Sequence, residues 1–239
     1  LLTALTEMRG SMSNAVKSIG NILNIQGTVV PVTNSINTLK AKLEGGDVVE
    51  GESRIDLCRE RDESARIVKL WQEPKVSANP DALEALYNSH YILIGPGDLF
   101  TSIISNLIVG GVAEAICSSR AKKIYLCNIM TKPGETTGFD VKDHVREVVK
   151  YLKSDALDYV VCAKSEDYSK ELLRKYKVQN QEPFQLNTKR EINHESKAVV
   201  IQADLANAKE LVRHDSLKLA GVIKKIIDQT RSEFKAPET

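Results

Sequence analysis

Tyr91-Ile92-Leu93-Ile94-Gly95-Pro96-Gly97-Asp98-Leu99-Phe100-Thr101-Ser102 is the stretch on which the fold turns. Four apolar residues without polar alternation predict a strand covered on both faces, as in a parallel sheet. Gly95-Pro96-Gly97 ends that strand, and Thr101 to Ser118 reads as the helix after it. The order repeats on either side. Upstream, Arg66 to Trp71 is strand-like, and Asn79-Pro80-Asp81 supplies a cap, a first-turn proline and a first-turn acid for a helix through Leu86. Downstream come the strand Lys123–Asn128, a helix with Val141, Val145, Val148, Val149 and Leu152 on one face, and the strand Leu157–Cys162. The helix Tyr168–Tyr176, the strand Ala198–Gln202 and a closing helix from Ser216 to Phe234 follow. The reading is an α/β fold with a mostly parallel sheet, helices on both faces and strand ends on one edge.

Before residue 66 the pattern changes. Ser13 to Leu23 is helical, with Val16, Ile19 and Leu23 on one face, and Gly27 to Thr33 reads as a strand. Residues 38–52 read as a small antiparallel β-hairpin excursion: Leu39, Ala41 and Leu43 alternate with polar residues, Gly45-Gly46-Asp47 turns, and Val48-Val49 returns. The expectation is a single domain over 1–234 with a frayed tail at 235–239. Leu1-Leu2-Thr3-Ala4-Leu5-Thr6-Glu7-Met8 reads as helix interior with no capping residue ahead of it, as if the chain began partway through a domain.

Charge and composition exclude several classes. Lys+Arg 33 against Asp+Glu 32 leaves +1, so no overall field draws the chain to nucleic acid or an acidic membrane. The longest apolar runs, such as Ile103–Val112, are interrupted by Ser, Asn and Gly and are too short for membrane insertion. Cys58, Cys117, Cys127 and Cys162 form no CxxC pair and read as reduced thiols in the cytoplasm. His90, His144, His194 and His214 lack zinc-ligand spacing.

Ligands of open parallel sheets bind beyond the carboxyl ends of the strands. Two loops there carry unusual residues. Gly95, Pro96 and Gly97, with Thr101 and Ser102, make either a phosphate cradle at a helix N-terminus or a tight turn before a capped helix. Asn128 to Asp140 is long for a strand-to-helix connection and combines Asn128, Thr131, Lys132, Gly134, Glu135 and Thr136. Asp143-His144 reads as an acid/base pair or as a first-turn acid beside a half-buried histidine. Arg213-His214-Asp215 follows a helical stretch, Leu205–Val212, and reads as a phosphate-binding cluster or as the cap of the last helix. Lys170, Arg174, Lys175 and Lys177 form a solvated face, and Trp71 reads as core.

Taken together, Gly95–Ile104 with Asn106-Leu107, Asn128–Thr136, Asp143-His144-Val145, and Arg213-His214-Asp215 with Lys218-Leu219-Ala220 resemble the bacterial gluconeogenesis-factor family. Val30–Thr33 and Val49–Glu52 fit the same family, a relative of 2-phospho-L-lactate transferase (CofD). The resemblance implies a Rossmann-like fold, cytoplasmic location and binding of a nucleotide sugar such as UDP-N-acetylglucosamine. It also implies a regulatory role linking carbon metabolism to cell-envelope synthesis and cell shape. By motif position Arg213 would contact the nucleotide sugar and Tyr176 would be a second contact, with the two loops lining the pocket. Asp98, Phe100, Lys132 and Ser216 stand where the family usually has Ser, Tyr, Gln and Pro. A carboxylate at Asp98 would repel a phosphate unless a cation such as Lys132 intervenes. The family's glycine-rich phosphate loop and Asp-Asp-Gly-Gly segment do not occur here, so a metal such as Mg2+ would belong to a longer form. The rival readings are a CofD-like transferase moving a 2-phospho-lactyl-type group to an acceptor hydroxyl, and a module acting through a regulatory protein partner or as a homo-oligomer.

Overall fold

A computed structural model describes residues 1–57, 64–164, 168–178, 181–183, 195–208 and 211–234. Cys58, His194 and the 235–239 tail lie outside the described residues. Two helices, α1 (Leu2–Arg9) and α2 (Met12–Leu23), lead into β1 (Thr38–Leu43), β2 (Val48–Glu50), the short α3 (Glu52–Asp56) and β3 (Ile67–Glu73). Next come α4 (Pro80–Asn88), β4 (Tyr91–Ile94), a π-helical turn (Leu99–Ile104) running into α5 (Ser105–Leu107), and α6 (Val112–Ser118). The chain continues through β5 (Lys122–Leu126), α7 (Val141–Leu152), β6 (Tyr159–Ala163) and α8 (Lys170–Val178). It ends in β7 (Val199–Ala203), β8 (Ala206–Asn207), β9 (Arg213–His214), α9 (Ser216–Thr230) and a 3-10 turn, Arg231–Phe234.

The parallel sheet has the order β4-β5-β6-β7. The central strands β5 and β6 are covered on both faces, whereas the outer strands β4 and β7 leave Leu93 and Val199 exposed, so the double coverage expected of Tyr91–Ile94 is not met at this sheet edge. Tyr125 and Cys127 of the β5 segment pack with Phe100, Val145 and Val148 on one side. Ile124 and Leu126 pack with Leu172, Leu219 and Ile226 on the other. The sequence thus identifies the α/β class and the parallel sheet, and the Asn79 cap is present, its side chain accepting from Asp81 N–H at 3.1 Å. No helix among the described residues is long and apolar enough to cross a membrane.

Four local expectations need correction. The antiparallel excursion is a separate three-stranded sheet, β2-β1-β3, and it takes the Arg66–Trp71 strand away from the parallel set. Only Ile67 and Leu70 of β3 are buried; Lys69 and Glu73 are exposed, which a doubly covered strand would not allow. The Gly27–Thr33 segment forms no strand. Pro31 interrupts any ladder there, and the segment is pinned instead by Asn79 N–H to the Val32 carbonyl (2.7 Å) and by the Thr33 hydroxyl to the Ser77 carbonyl (2.8 Å).

The helix expected over Thr101–Ser118 is broken at Gly110-Gly111. Gly110 bonds the Val76 carbonyl at 2.9 Å, and a Cβ on it would lie 3.2 Å from that oxygen. Gly111 then takes φ +97° to restart the helix. The described residues of the stretch expected to be helical, Leu205–Ala208 and Leu211–Val212, are not helical. Ala206–Asn207 pairs with Arg213–His214 as a short antiparallel bridge, and this connection buries Leu205, Ala206 and Val212 under α9.

Candidate functional site

The loops after β4 and β5 lie side by side because their strands are neighbours. Asn128 joins them: its amide donates to the Gly97 carbonyl at 2.8 Å and its oxygen accepts Gly97 N–H at 3.4 Å. Gly95 is required by the close approach of β5, since a Cβ there would meet the Leu126 carbonyl at 2.9 Å and the residue sits at φ +89°. The backbone of both loops is therefore held by contacts internal to the protein.

The π-helical turn does not present open N–H groups to a ligand. Glu135 reaches across from the second loop, and its Oε2 accepts Phe100 N–H (3.1 Å) and Thr101 N–H (3.4 Å), while Oε1 accepts the Thr101 hydroxyl (2.9 Å). The protein's own carboxylate thus occupies the place of the expected phosphate. Glu135 is fully buried, and burial raises its pKa against the opposing effects of Lys132 and Thr101.

Lys132 holds this cluster together. Its Nζ binds Asp56 on α3, Asp98 Oδ2 at 2.5 Å and Glu135 Oε1 at 3.2 Å, so each of its three N–H groups faces a carboxylate. Burial alone would lower the lysine pKa, but the Glu135 charge and hydrogen bonds to Asp56 and Asp98 raise it. Asp98, anomalous in the sequence, is thereby compensated by Lys132. The carboxylates of Asp56, Asp98 and Glu135 lie within 4.8 Å of one another. They do not fit a divalent cation as they stand, because the ammonium occupies their common centre.

A pocket of about 240 Å3 opens beside this cluster, beyond the ends of β4 and β5. Gly97, Asp98 and Asn128 form one wall, and Met130, Arg213 and His214 form another. Arg213 is exposed and pairs with no carboxylate among the described residues. His214 is half-buried, and burial lowers its pKa despite a hydrogen bond with the Cys127 backbone. Its Nε2 is buried and has no hydrogen-bond partner among the described residues. The sequence offers Arg213-His214-Asp215 either as a phosphate-binding cluster or as a helix cap; the structure brings Arg213 and His214 to the pocket and gives the cap to Asp215. Asp215 caps α9, accepting from Leu217 and Lys218 N–H.

The remaining sequence candidates divide among different surroundings. Thr131 lines another depression, of about 470 Å3, and its hydroxyl accepts Glu182 N–H at 2.8 Å. Thr136 is buried and accepts Lys132 N–H at 2.8 Å. Gly134 forms a turn at φ +75°. Pro96, with Gly95, borders an apolar groove beside β4. Tyr176 is buried, and its hydroxyl accepts Val212 N–H at 2.7 Å, which makes it the residue that fixes the backbone one step before Arg213. His144 is fully buried against the Tyr125 hydroxyl at 3.0 Å, and Asp143 is spent in a capping box with Asp140, so the acid/base reading of that pair falls.

Comparison with known proteins agrees with this architecture. Residues 1–206 match the family model described as 2-phospho-L-lactate transferase CofD. Curated relatives named gluconeogenesis factor include one from Thermotoga maritima, 38% identical over 95% of this chain and 70% of its own length. Another, from Bacillus subtilis, is 31% identical over 93% of this chain and 68% of its own. A crystal structure of a UPF0052 family member from Bacillus halodurans superposes with a TM-score of 0.86 at 29% identity, covering 94% of this chain and 70% of that one. With the family model spanning most of its residues and these relatives aligned over 93–95% of it, the chain belongs to the CofD-like family and groups with its gluconeogenesis factors.

Proposed function

We propose that the chain binds a nucleotide sugar of the UDP-N-acetylglucosamine type and acts as a cytoplasmic regulatory protein linking carbon metabolism to cell-envelope synthesis and cell shape. The observation that carries this reading is the pairing of Arg213 with the unpartnered Nε2 of His214 over Gly97 and Asn128. A permanent cation and a neutral imidazole there can bind a phosphate oxygen and a sugar hydroxyl. The pocket's small volume suits one portion of such a ligand. Asp98, turned toward Lys132, is kept from repelling it. No nucleophile and base are brought together beside the pocket among the described residues, which favours binding over turnover.

Titration with UDP-N-acetylglucosamine in a calorimeter tests the proposal. Binding should weaken at least tenfold in Arg213→Ala, equivalent to about 1.4 kcal/mol; absence of heat, or equal affinity in the variant, sinks it. The family model's own description favours a second reading, transfer of a phosphoryl-linked group. Metal-dependent turnover of a nucleotide-activated donor would establish that reading instead.

A further inference from the structure

A further concave surface lies away from the Arg213 pocket and shares no lining residue with it. It is a groove of about 590 Å3 between β3, the α5–α6 connection and the end of α7. Trp71 and Tyr151 supply aromatic surface, and Lys69, Lys75, Lys150 and Lys153 stand around them. Trp71, expected in the core, is half-buried on this wall, with Lys69 Nζ 5.6 Å from its ring centroid. Lys150 Nζ lies 5.2 Å over the Tyr151 ring. Lys150 is paired with the partly buried Glu147 (2.8 Å) and Lys153 with the exposed Glu114 (3.9 Å), whereas Lys69 and Lys75 have no carboxylate partner among the described residues.

We infer that this groove docks an acidic peptide segment of a partner protein, one apolar side chain on the aromatic floor and its flanking carboxylates on the lysines. Two observations support the assignment. The lining carries four lysines against the single acid Glu114, on a molecule whose overall charge is only +1, so the positive charge is local. Tryptophan and tyrosine in a concave apolar patch with a charged rim are the composition of interaction hot spots.

The docking is through side chains and not by adding a strand to β3. The outer edge of β3 is already closed where Leu70 N–H donates to the Tyr151 hydroxyl (2.7 Å) and Lys150 Nζ to the Val68 carbonyl (3.1 Å).

Trp71 is the only tryptophan of the chain, so its emission reports the groove directly. The probe is the blocked peptide Ac-Asp-Glu-Leu-Glu-Asp-NH2, titrated into the whole protein. A saturable emission change is expected, weakened about tenfold in Lys69→Glu/Lys75→Glu and by about 0.5 M salt, and unchanged in Arg213→Ala. Replacing the peptide's leucine by serine should weaken binding as well. Flat emission at millimolar peptide overturns the inference, as does equal affinity of the charge-reversed variant. Tighter binding of an oligothymidylate than of the peptide overturns it too, by assigning the groove to nucleic acid.

Discussion

Glu135 decides what the glycine loop can do. In a loop that follows a parallel strand, the first N–H groups of the next helix are the usual place for an anion, and here the anion is a side chain. Removing it leaves Phe100 N–H, Thr101 N–H and the Thr101 hydroxyl without their acceptor in a buried position, and Lys132 without its most buried partner. Glu135→Ala should therefore destabilise the protein by about 3 kcal/mol, read by urea denaturation. Glu135→Gln, which keeps an acceptor oxygen, should lose less. A loss below about 1 kcal/mol in the alanine variant would show that water replaces the carboxylate. Sequence reading named Glu135 among the site residues because it sits in a long polar loop. It could not tell a ligand contact from a structural cap, since that depends on which way a single side chain turns.

At the scale of elements, α7 shows how a capped amphipathic helix can carry a buried titratable group. Asp140 and Asp143 cap it reciprocally, and Val141, Val145, Val148 and Leu152 face the sheet together with His144. Burial lowers the His144 pKa from 6.5 to about 3. Between those values the unfolded chain binds a proton that the folded protein refuses. Stability is therefore fully present above pH 6.5 and falls as the pH drops toward 3, by up to about 1.4 kcal/mol per pH unit from this group. Denaturation midpoints measured across that range should decline more steeply in the natural protein than in His144→Leu; equal slopes would contradict the assignment. The α7 spacing was legible because a period of 3.6 residues survives in sequence. The break at Gly110-Gly111 was not, because it answers to the backbone of Val76 and Ser77, more than thirty residues away.

On the scale of the whole molecule, two sheets are joined beside the candidate site. The antiparallel sheet contributes Asp56 through α3, the loop after β4 contributes Asp98, the loop after β5 contributes Glu135, and the Lys132 ammonium closes all three. Lys132→Met should loosen this junction. Amide exchange should accelerate in Thr38–Leu43 and Ile67–Glu73, while Val160 and Val161 in the middle of the parallel sheet keep their protection. Uniform acceleration across both sheets would instead indicate one global unfolding unit. What the sequence determined by itself was the α/β class, the parallel set β4 to β7, the hairpin, the cap at Asn79, and the two loops bordering the site. These follow from local periodicity and from residue types that act within a few positions of themselves. Only the tertiary structure decided that Arg66–Trp71 leaves the parallel sheet and that Leu205–Ala208 is not helical. It also turned Glu135 inward, paired Lys132 with the anomalous Asp98, and left Arg213 and His214 at the pocket. Each of those outcomes rests on contacts between residues distant in sequence, where burial and charge pairing, more than local pattern, set the lowest free energy.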